Sequence, residues 1–310
     1  MKVIRIGTRG SALALTQAGW VKKKLEEKYP DRRIETTIIK TSGDRFLERS
    51  IQAIGGKGVF VKEIEEALLQ EEIDLAVHSM KDLPTEIPAG LTLAAIPERE
   101  DPRDVLVSVE RRSLKDLPSG ARVGTGSLRR RAQVLYYRKD LAVIPIRGNV
   151  DTRLKKLEKG ELEGVLMALA ALRRMGWEDR VSDYLSPDIC LSAVAQGALG
   201  LESRDEGWMR EQLAFLHHRP TAVEVAAERA FLGRLGGGCH VPVGARAWMA
   251  GGNVKLIGVV ADPDGTKLFR GEISGTDSEA EKLGHELAER LLTQGAKEVL
   301  ISATGGGQAV

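Results

Sequence analysis

Six arginines stand where an apolar run ends or the following helix begins: Arg9, Arg129, Arg130, Arg147, Arg153 and Arg174. In open α/β sheets the ligand crevice lies outside the carboxyl ends of the strands, so a basic residue delivered there faces the ligand. A guanidinium fork matches carboxylates and phosphates and keeps its charge at any physiological pH. Solvated surface charge is reading enough for Lys22, Lys23, Lys24, Lys155 and Lys156. It is weaker for "RGN" at 147–149, where an apolar run delivers Arg147 straight into a glycine. The expected ligand is a small polyanion.

Three other stretches carry possible chemistry. In "AVHSMKDLP" (76–84) an apolar run ends at Lys81-Asp82. Asp82 is then either a capping residue before a Pro-containing turn or a lone ionised carboxylate in a basic cleft, suited to stabilising a cation or accepting N–H donors. His78, inside that run, reads as a packed core residue. "IGGKGVF" (54–60) is a glycine-rich loop, either a plain surface turn or a lid that brings Lys57 to an anion. "GGGCHVPVG" (236–244) sets Cys239 on open backbone, where a thiolate could be reached. Cys190, in "DICLSAV", reads as a small buried hydrophobe. The five histidines and two cysteines show no zinc-type spacing, so no metal is expected.

These residues need strand ends and helix starts to hold them. "KVIRIG" reads as a strand, Ser11 as an N-cap and the stretch from Ala12 to Tyr29 as a helix ending before Pro30. Alternating apolar and amphipathic segments continue to about residue 175, the pattern of βα units on a mainly parallel sheet. "PEREDPRD" (97–104) reads as a crossover between domains. "RIGTRGSALAL" (5–15) and "RVGTGSLRRRA" (122–132) echo each other: strand, Gly-Thr, Gly-Ser, helix. Each turns free backbone N–H groups and a helix dipole toward its loop, as anion sites do. Either alone could be an ordinary turn. Two of them, both with arginine, favour an anion-binding cleft between two similar domains.

Composition removes several classes of function. The 310 residues carry a formal net charge of +2, so no global field draws in nucleic acid or anionic membrane. Aromatic residues are 4%, too few for base-stacking platforms. No apolar run has membrane-spanning length, no secretory leader is expected from "MKVIRIGTRGSALAL", and two cysteines cannot build a disulfide framework. A cytosolic protein is the expectation.

Taken together, "IGTRGSALALTQ", "IGGKGVFVKEIEEALL", "DLAVHSMKDLPTEIPAGL", "GTGSLRRRAQ", "IRGNVDTRL" and "GGGCHVPVGA" resemble the porphobilinogen deaminase (hydroxymethylbilane synthase) family, in the family's order from residue 4 to 245. The resemblance implies an α/β fold with two periplasmic-binding-protein-like domains around a cleft and a small C-terminal α+β domain. Its domains would be 1–98 with 198–217, 103–192, and 219–310. It implies a transferase that joins four porphobilinogen molecules, with loss of ammonia, into linear hydroxymethylbilane. It implies a dipyrromethane cofactor bonded through Cys239 and held by Lys81, Asp82, Thr125, Ser127, Arg129, Arg130 and Arg147. Arg9, Ser11, Lys57, Arg153 and Arg174 would bind substrate, Asp82 would be catalytic, and the protein would be a monomer. The sequence departs from the family pattern at Gly126, Ala171, Ser192 and Ala195. A two-domain binding protein for a polyanion would account for the arginines but leave Cys239 without a task. A cysteine hydrolase would lack a matching His and acid.

Overall fold

The computed structural model describes residues 3–45, 61–205, 207–236 and 241–303. The first stretch runs β1 (Ile4–Thr8), α1 (Ala12–Lys28), β2 (Ile34–Ile38), α2 (Ser42–Arg45), α3 (Lys62–Leu69), β3 (Leu75–Ser79) and β4 (Leu91–Ala95). Next come β5 (Asp104–Ser108), β6 (Arg122–Gly124), α4 (Leu128–Tyr137), β7 (Ala142–Ile144), α5 (Val150–Glu158), β8 (Gly164–Ala168), α6 (Leu169–Arg174) and β9 (Asp183–Tyr184). The remainder is β10 (Leu199–Arg204), α7 (Gly207–Leu213), α8 (Arg219–Arg234), β11 (Val243–Ala250), β12 (Asn253–Ala261), β13 (Leu268–Thr276), α9 (Ala280–Leu291) and α10 (Lys297–Ala303). The chain divides into two compact units, one of residues 1–99 and 198–222, the other of residues 100–197 and 223–310.

The first unit is built on a sheet of order β2-β1-β3-β10-β4. β2, β1 and β3 are parallel, and β10 runs antiparallel to β3 and β4. α1 covers one face because Ala18, Val21 and Leu25 recur at helical spacing and pack on Ile4, Ile6, Leu75 and Val77. The helix starts where Ser11 Oγ accepts from Ala14 N. It stops before Pro30, which keeps Tyr29 out of helical geometry (φ −131°, ψ 69°). α3 covers the other face through Ile64, Ala67 and Leu68 against Ile73, Ala76 and Leu91.

The second unit repeats the plan in its order β7-β6-β8-β5-β9. β7, β6 and β8 are parallel, and β5 is antiparallel to both β8 and β9. In each unit, therefore, a parallel trio meets one antiparallel strand and then an edge strand, which is the periplasmic-binding-protein-like architecture. The antiparallel strand is the return segment β10 in the first unit and the entry segment β5 in the second. β11, β12 and β13 form an antiparallel meander. α9 lies on it through Leu283, Leu287 and Leu291, spaced one turn apart and all buried. Sequence reading assigns 198–217 to the first domain without finding β10. The reason is that Glu202 and Ser203 are buried there, so "LGLESR" shows no alternation of polar and apolar residues.

The segment leading back to β10 contains an unusual backbone. Ala195 has φ +56°, and Gly197 has φ +89°. Left-handed backbone costs an L-residue about 1–2 kcal/mol. A buried carboxylate compensates: Glu228 Oε2 accepts from Ala195 N at 2.6 Å, and its Oε1 accepts from Ala247 N at 2.8 Å. Relief of that strain in Ala195→Gly offsets the lost methyl burial and the added unfolded-chain entropy, each about 1 kcal/mol. Ala195→Gly should therefore unfold within about 1 kcal/mol of the parent in a urea titration. Ala132→Gly, in the interior of α4 and equally buried, should cost at least ~1 kcal/mol in the same experiment.

Candidate active site

In the first unit, the carboxyl ends of β1 and β3 and the start of α1 enclose an open pocket of about 60 Å³. Arg9, Ser11, Gln17, His78, Ser79 and Asp82 supply its polar lining, and Val61, Ile64 and Val77 part of its apolar lining. β3 delivers His78 and Ser79, and a short 3₁₀ turn over Met80–Asp82 then carries Lys81 and Asp82. That turn is fixed from three directions. Met80 N donates to Ala198 O at 3.0 Å, and Leu83 N donates to Met80 O at 3.3 Å. Ser79 Oγ lies 3.0 Å from Gln17 Nε2 on α1. The half-buried Asp82 thus has a fixed place beside the N-terminus of α1, where a positive dipole and the permanent charge of Arg9 meet.

The second unit has a matching strand-end constellation. Thr125 N donates to Ile144 O at 3.0 Å, and Thr125 Oγ1 accepts from Ser127 N at 3.2 Å. Ser127 Oγ caps α4 by accepting from Arg130 N at 3.4 Å. A side chain at Gly126 would put its Cβ 2.6 Å from Ile146 O, so glycine suits this loop. Arg147 is exposed in the turn before α5. Arg153 is half-buried on α5, with Nε donating to Gly148 O at 2.9 Å. Thr125, Ser127, Arg147 and Arg153 therefore all sit at or just beyond the ends of β6 and β7, where a carboxylate-bearing ligand would be received.

The family comparison matches the model described as "Porphobilinogen deaminase, dipyromethane cofactor binding domain" over residues 4–211, and "Porphobilinogen deaminase, C-terminal domain" over residues 222–293. The chain belongs to the porphobilinogen deaminase family. The porphobilinogen deaminase of Geobacter metallireducens is 52% identical over 302 residues, covering 96% of this chain and 94% of that protein. That of Pelobacter propionicus is 51% identical over 298 residues, covering 96% of each. Among solved structures, the periplasmic aliphatic sulphonate binding protein of Escherichia coli shows 13% identity and a TM-score of 0.40, covering 98% of this chain and 75% of that one. That likeness is too distant to bear on function.

Three of the family's arginines have their donors turned inward. Arg129 and Arg130 are 4% and 5% exposed, and both close on Asp104, which has no solvent exposure. Arg129 Nη1 donates to Asp104 Oδ2 at 2.6 Å and to Leu191 O at 2.5 Å. Arg130 Nε and Nη2 donate to Asp104 Oδ1 at 2.9 and 2.7 Å, and its Nη1 donates to Leu166 O at 3.1 Å. Gln196 Nε2 adds a bond to Asp104 Oδ1 at 2.9 Å. Burial pushes the Asp104 carboxyl up, but the two guanidinium charges and their hydrogen bonds outweigh it and hold the group well below the usual carboxylate range. Arg174 Nη2 donates to Gly197 O at 2.6 Å, and burial pulls its guanidinium down to about 10. The open, ligand-facing placement that sequence reading gives Arg129, Arg130 and Arg174 is therefore not their placement here, because a buried acid and backbone carbonyls take their donors.

Cys190 behaves as expected of a core thiol. It is buried, its Sγ donates to Asp104 Oδ2 at 3.3 Å, and burial pushes it up to about 12. Cys239 and Lys57 lie outside the described residues. Sequence reasoning missed Gln17, Ser79 and Asp104. Asp104 left a signal, as the one charged residue in the apolar run "DVLV". Among the described residues no group of His, Cys, Asp and Glu could hold a metal, and no helix is long and apolar enough to cross a membrane.

Asp104→Asn leaves two buried guanidiniums without their counter-charge. Thermal unfolding should show a large loss, on the order of 3–5 kcal/mol. Retention of the parent's melting temperature would show that these arginines do not depend on Asp104.

Proposed function

We propose that this chain acts as a hydroxymethylbilane synthase whose reactive centre is Asp82. The transferase joins porphobilinogen units head to tail with loss of ammonia, in tetrapyrrole biosynthesis. The observation that carries the assignment of Asp82 is its position: a carboxylate fixed beside Arg9 and Ser11 in a pocket at the carboxyl ends of parallel strands. When the C–N bond of the substrate's protonated aminomethyl group breaks, ammonia leaves with the electron pair and a methylene-pyrrole cation remains. Asp82 stabilises that cation and accepts pyrrole N–H donors. Arg9, with Ser11 at the N-terminus of α1, binds substrate carboxylates. Lys81, on the same turn as Asp82, pairs with carboxylates of the cofactor.

The cofactor is a dipyrromethane, a polycarboxylate, and the donor set of the second unit suits one: a serine-capped helix N-terminus at Ser127, the Thr125 hydroxyl, and the guanidiniums of Arg147 and Arg153. When bound, it supplies the pyrrole carbon at which chain growth begins. We assign its covalent attachment to Cys239. Arg129 and Arg130 contribute positive potential from beneath α4, Arg174 from α6, and Lys57 from its glycine-rich loop. We further propose three domains (1–98 with 198–217, 103–192, and 219–310), a monomer, and a cytoplasmic location. Support comes from the family match, the near-zero net charge and the scarcity of cysteine.

Two experiments test this reading. Intact-mass measurement of the purified protein should exceed the sequence mass by two pyrrole units, and the excess should vanish in Cys239→Ser. An active preparation at the bare sequence mass would falsify covalent attachment. Asp82→Asn should keep the parent's unfolding midpoint and cofactor mass yet lose at least about a hundredfold in kcat. Turnover within a few-fold of the parent would remove Asp82 from the reaction.

A further inference from the structure

Beneath the Asp82 pocket lies a group of titratable side chains that the reaction as described does not use. Residues alternate across β3. Leu75 and Val77 face α1, whereas Ala76 and His78 face α3. On β10, Gly200 pairs with His78 and Glu202 with Ala76, which puts Glu202 on the face shared with His78. His78 Nε2 lies 2.9 Å from Glu202 Oε2. His78 is 5% exposed, and Glu202 has no exposure. Opposite His78, a Cβ at Gly200 would stand 2.4 Å from Met80 Sδ, so any larger residue would have to displace the Met80 side chain. α3 supplies a third member, Glu65, whose charge couples to both Glu202 and His78.

Two oxygens in this group are orphaned. Glu202 Oε1 and Glu65 Oε1 are both buried and have no hydrogen-bond partner among the described residues. Buried polar atoms without partners are rare because each forfeits its hydration. Two buried carboxyl groups, each with an unsatisfied oxygen, are relieved when one of them holds a proton. His78 links the group to the chemistry, because it also lines the pocket with Asp82 and Arg9.

We propose that His78, Glu202 and Glu65 are positioning residues for the Asp82 site, holding one exchangeable proton that sets the charge beneath the cation Asp82 faces. The proposal rests on the reading of Asp82 given above. The group gains one negative charge when Glu65 gives up its proton. Burial first, and the charge of Glu202 second, push Glu65 up to about 7, with His78 opposing. The negative state thus appears as pH rises through neutrality, and it favours a cation in the pocket.

Other charges on the packed elements are committed elsewhere. Arg5 on β1 and Arg204 on β10 close on Asp74 at 3.0 and 3.3 Å. On α3, Glu63 Oε1 accepts from Ser42 N at 2.7 Å, and Lys62 pairs with Glu66 at 3.8 Å. β4 brings no titratable side chain, the pocket lining holds Arg9 and Asp82, and Lys81 lies on the same turn as Asp82.

The test is the pH profile of kcat/KM for the holoenzyme. The parent should show a limb that rises with pH, with a midpoint near 7. Glu65→Gln should lack that limb and fall by roughly threefold to tenfold above the midpoint, while Glu65→Asp should keep it. A merely structural Glu65 would lower activity equally at all pH values, and the limb would stay. As a readout independent of activity, the ring shift of His78 followed by NMR should report the same midpoint in the parent and none near it in Glu65→Gln. An unchanged limb together with an unchanged His78 titration in Glu65→Gln overturns the proposal. Normal turnover by Asp82→Asn would instead sink the reading of Asp82, and with it the kinetic half of this proposal. The His78 titration would then still decide whether the shared proton exists.

Discussion

A carboxylate with no solvent contact organises the second unit. Asp104 opens β5, and on it converge Arg129 and Arg130 from the first turn of α4 and Gln196 from the segment returning toward β10. A buried charge is tolerable only when its partners are close and well oriented, and here they come from segments distant in sequence from β5. The group therefore specifies more than it stabilises. β5 must lie antiparallel beside β8, α4 must begin where it does, and the return segment must pass within reach of one oxygen. Sheet, helix start and crossover are then mutually constrained.

The first unit applies the opposite logic at Asp82. That side chain sits half-exposed at a strand end, in a turn fixed by backbone bonds and by Gln17. A carboxylate meant to meet a transient cation has to be placed without being neutralised beforehand. The contrast between two acids, one enclosed by guanidiniums and one lining a pocket, separates a structural charge from the one proposed to react. Both sheets also put serine-capped helix starts beside their strand ends, Ser11 on α1 and Ser127 on α4. Repetition of one plan thus gives each unit a place for a carboxylate.

Much of this was legible in the sequence. The helix from Ala12 with its Ser11 cap, a helix beginning at Ser127, the parallel strands, two strands near 241–249 and 253–261 and the place of Asp82 at the end of an apolar run follow from periodicity and capping chemistry, which are local properties. β10 was not legible, because its polar residues are buried by partners distant in sequence. The arginines were half legible. Their positions at strand ends are local, but the direction of a flexible side chain depends on what lies beside it, and Asp104 is 25 and 26 residues from its two partners.

The sequence by itself determined the family through the likeness of its motifs, and the βα order and the residue types available for an anionic ligand through periodicity and spacing. Tertiary structure alone decided which charges are spent inside and which remain for a ligand. Arg129, Arg130 and Arg174 look equivalent to Arg147 on paper, yet only Arg147 among them is exposed. The same holds for His78, Glu202 and Glu65, which three separate elements bring together. The physical reason is common to both cases. Burying a charge is determined by its whole surroundings, and a residue's surroundings are set by chain folding rather than by its neighbours in sequence.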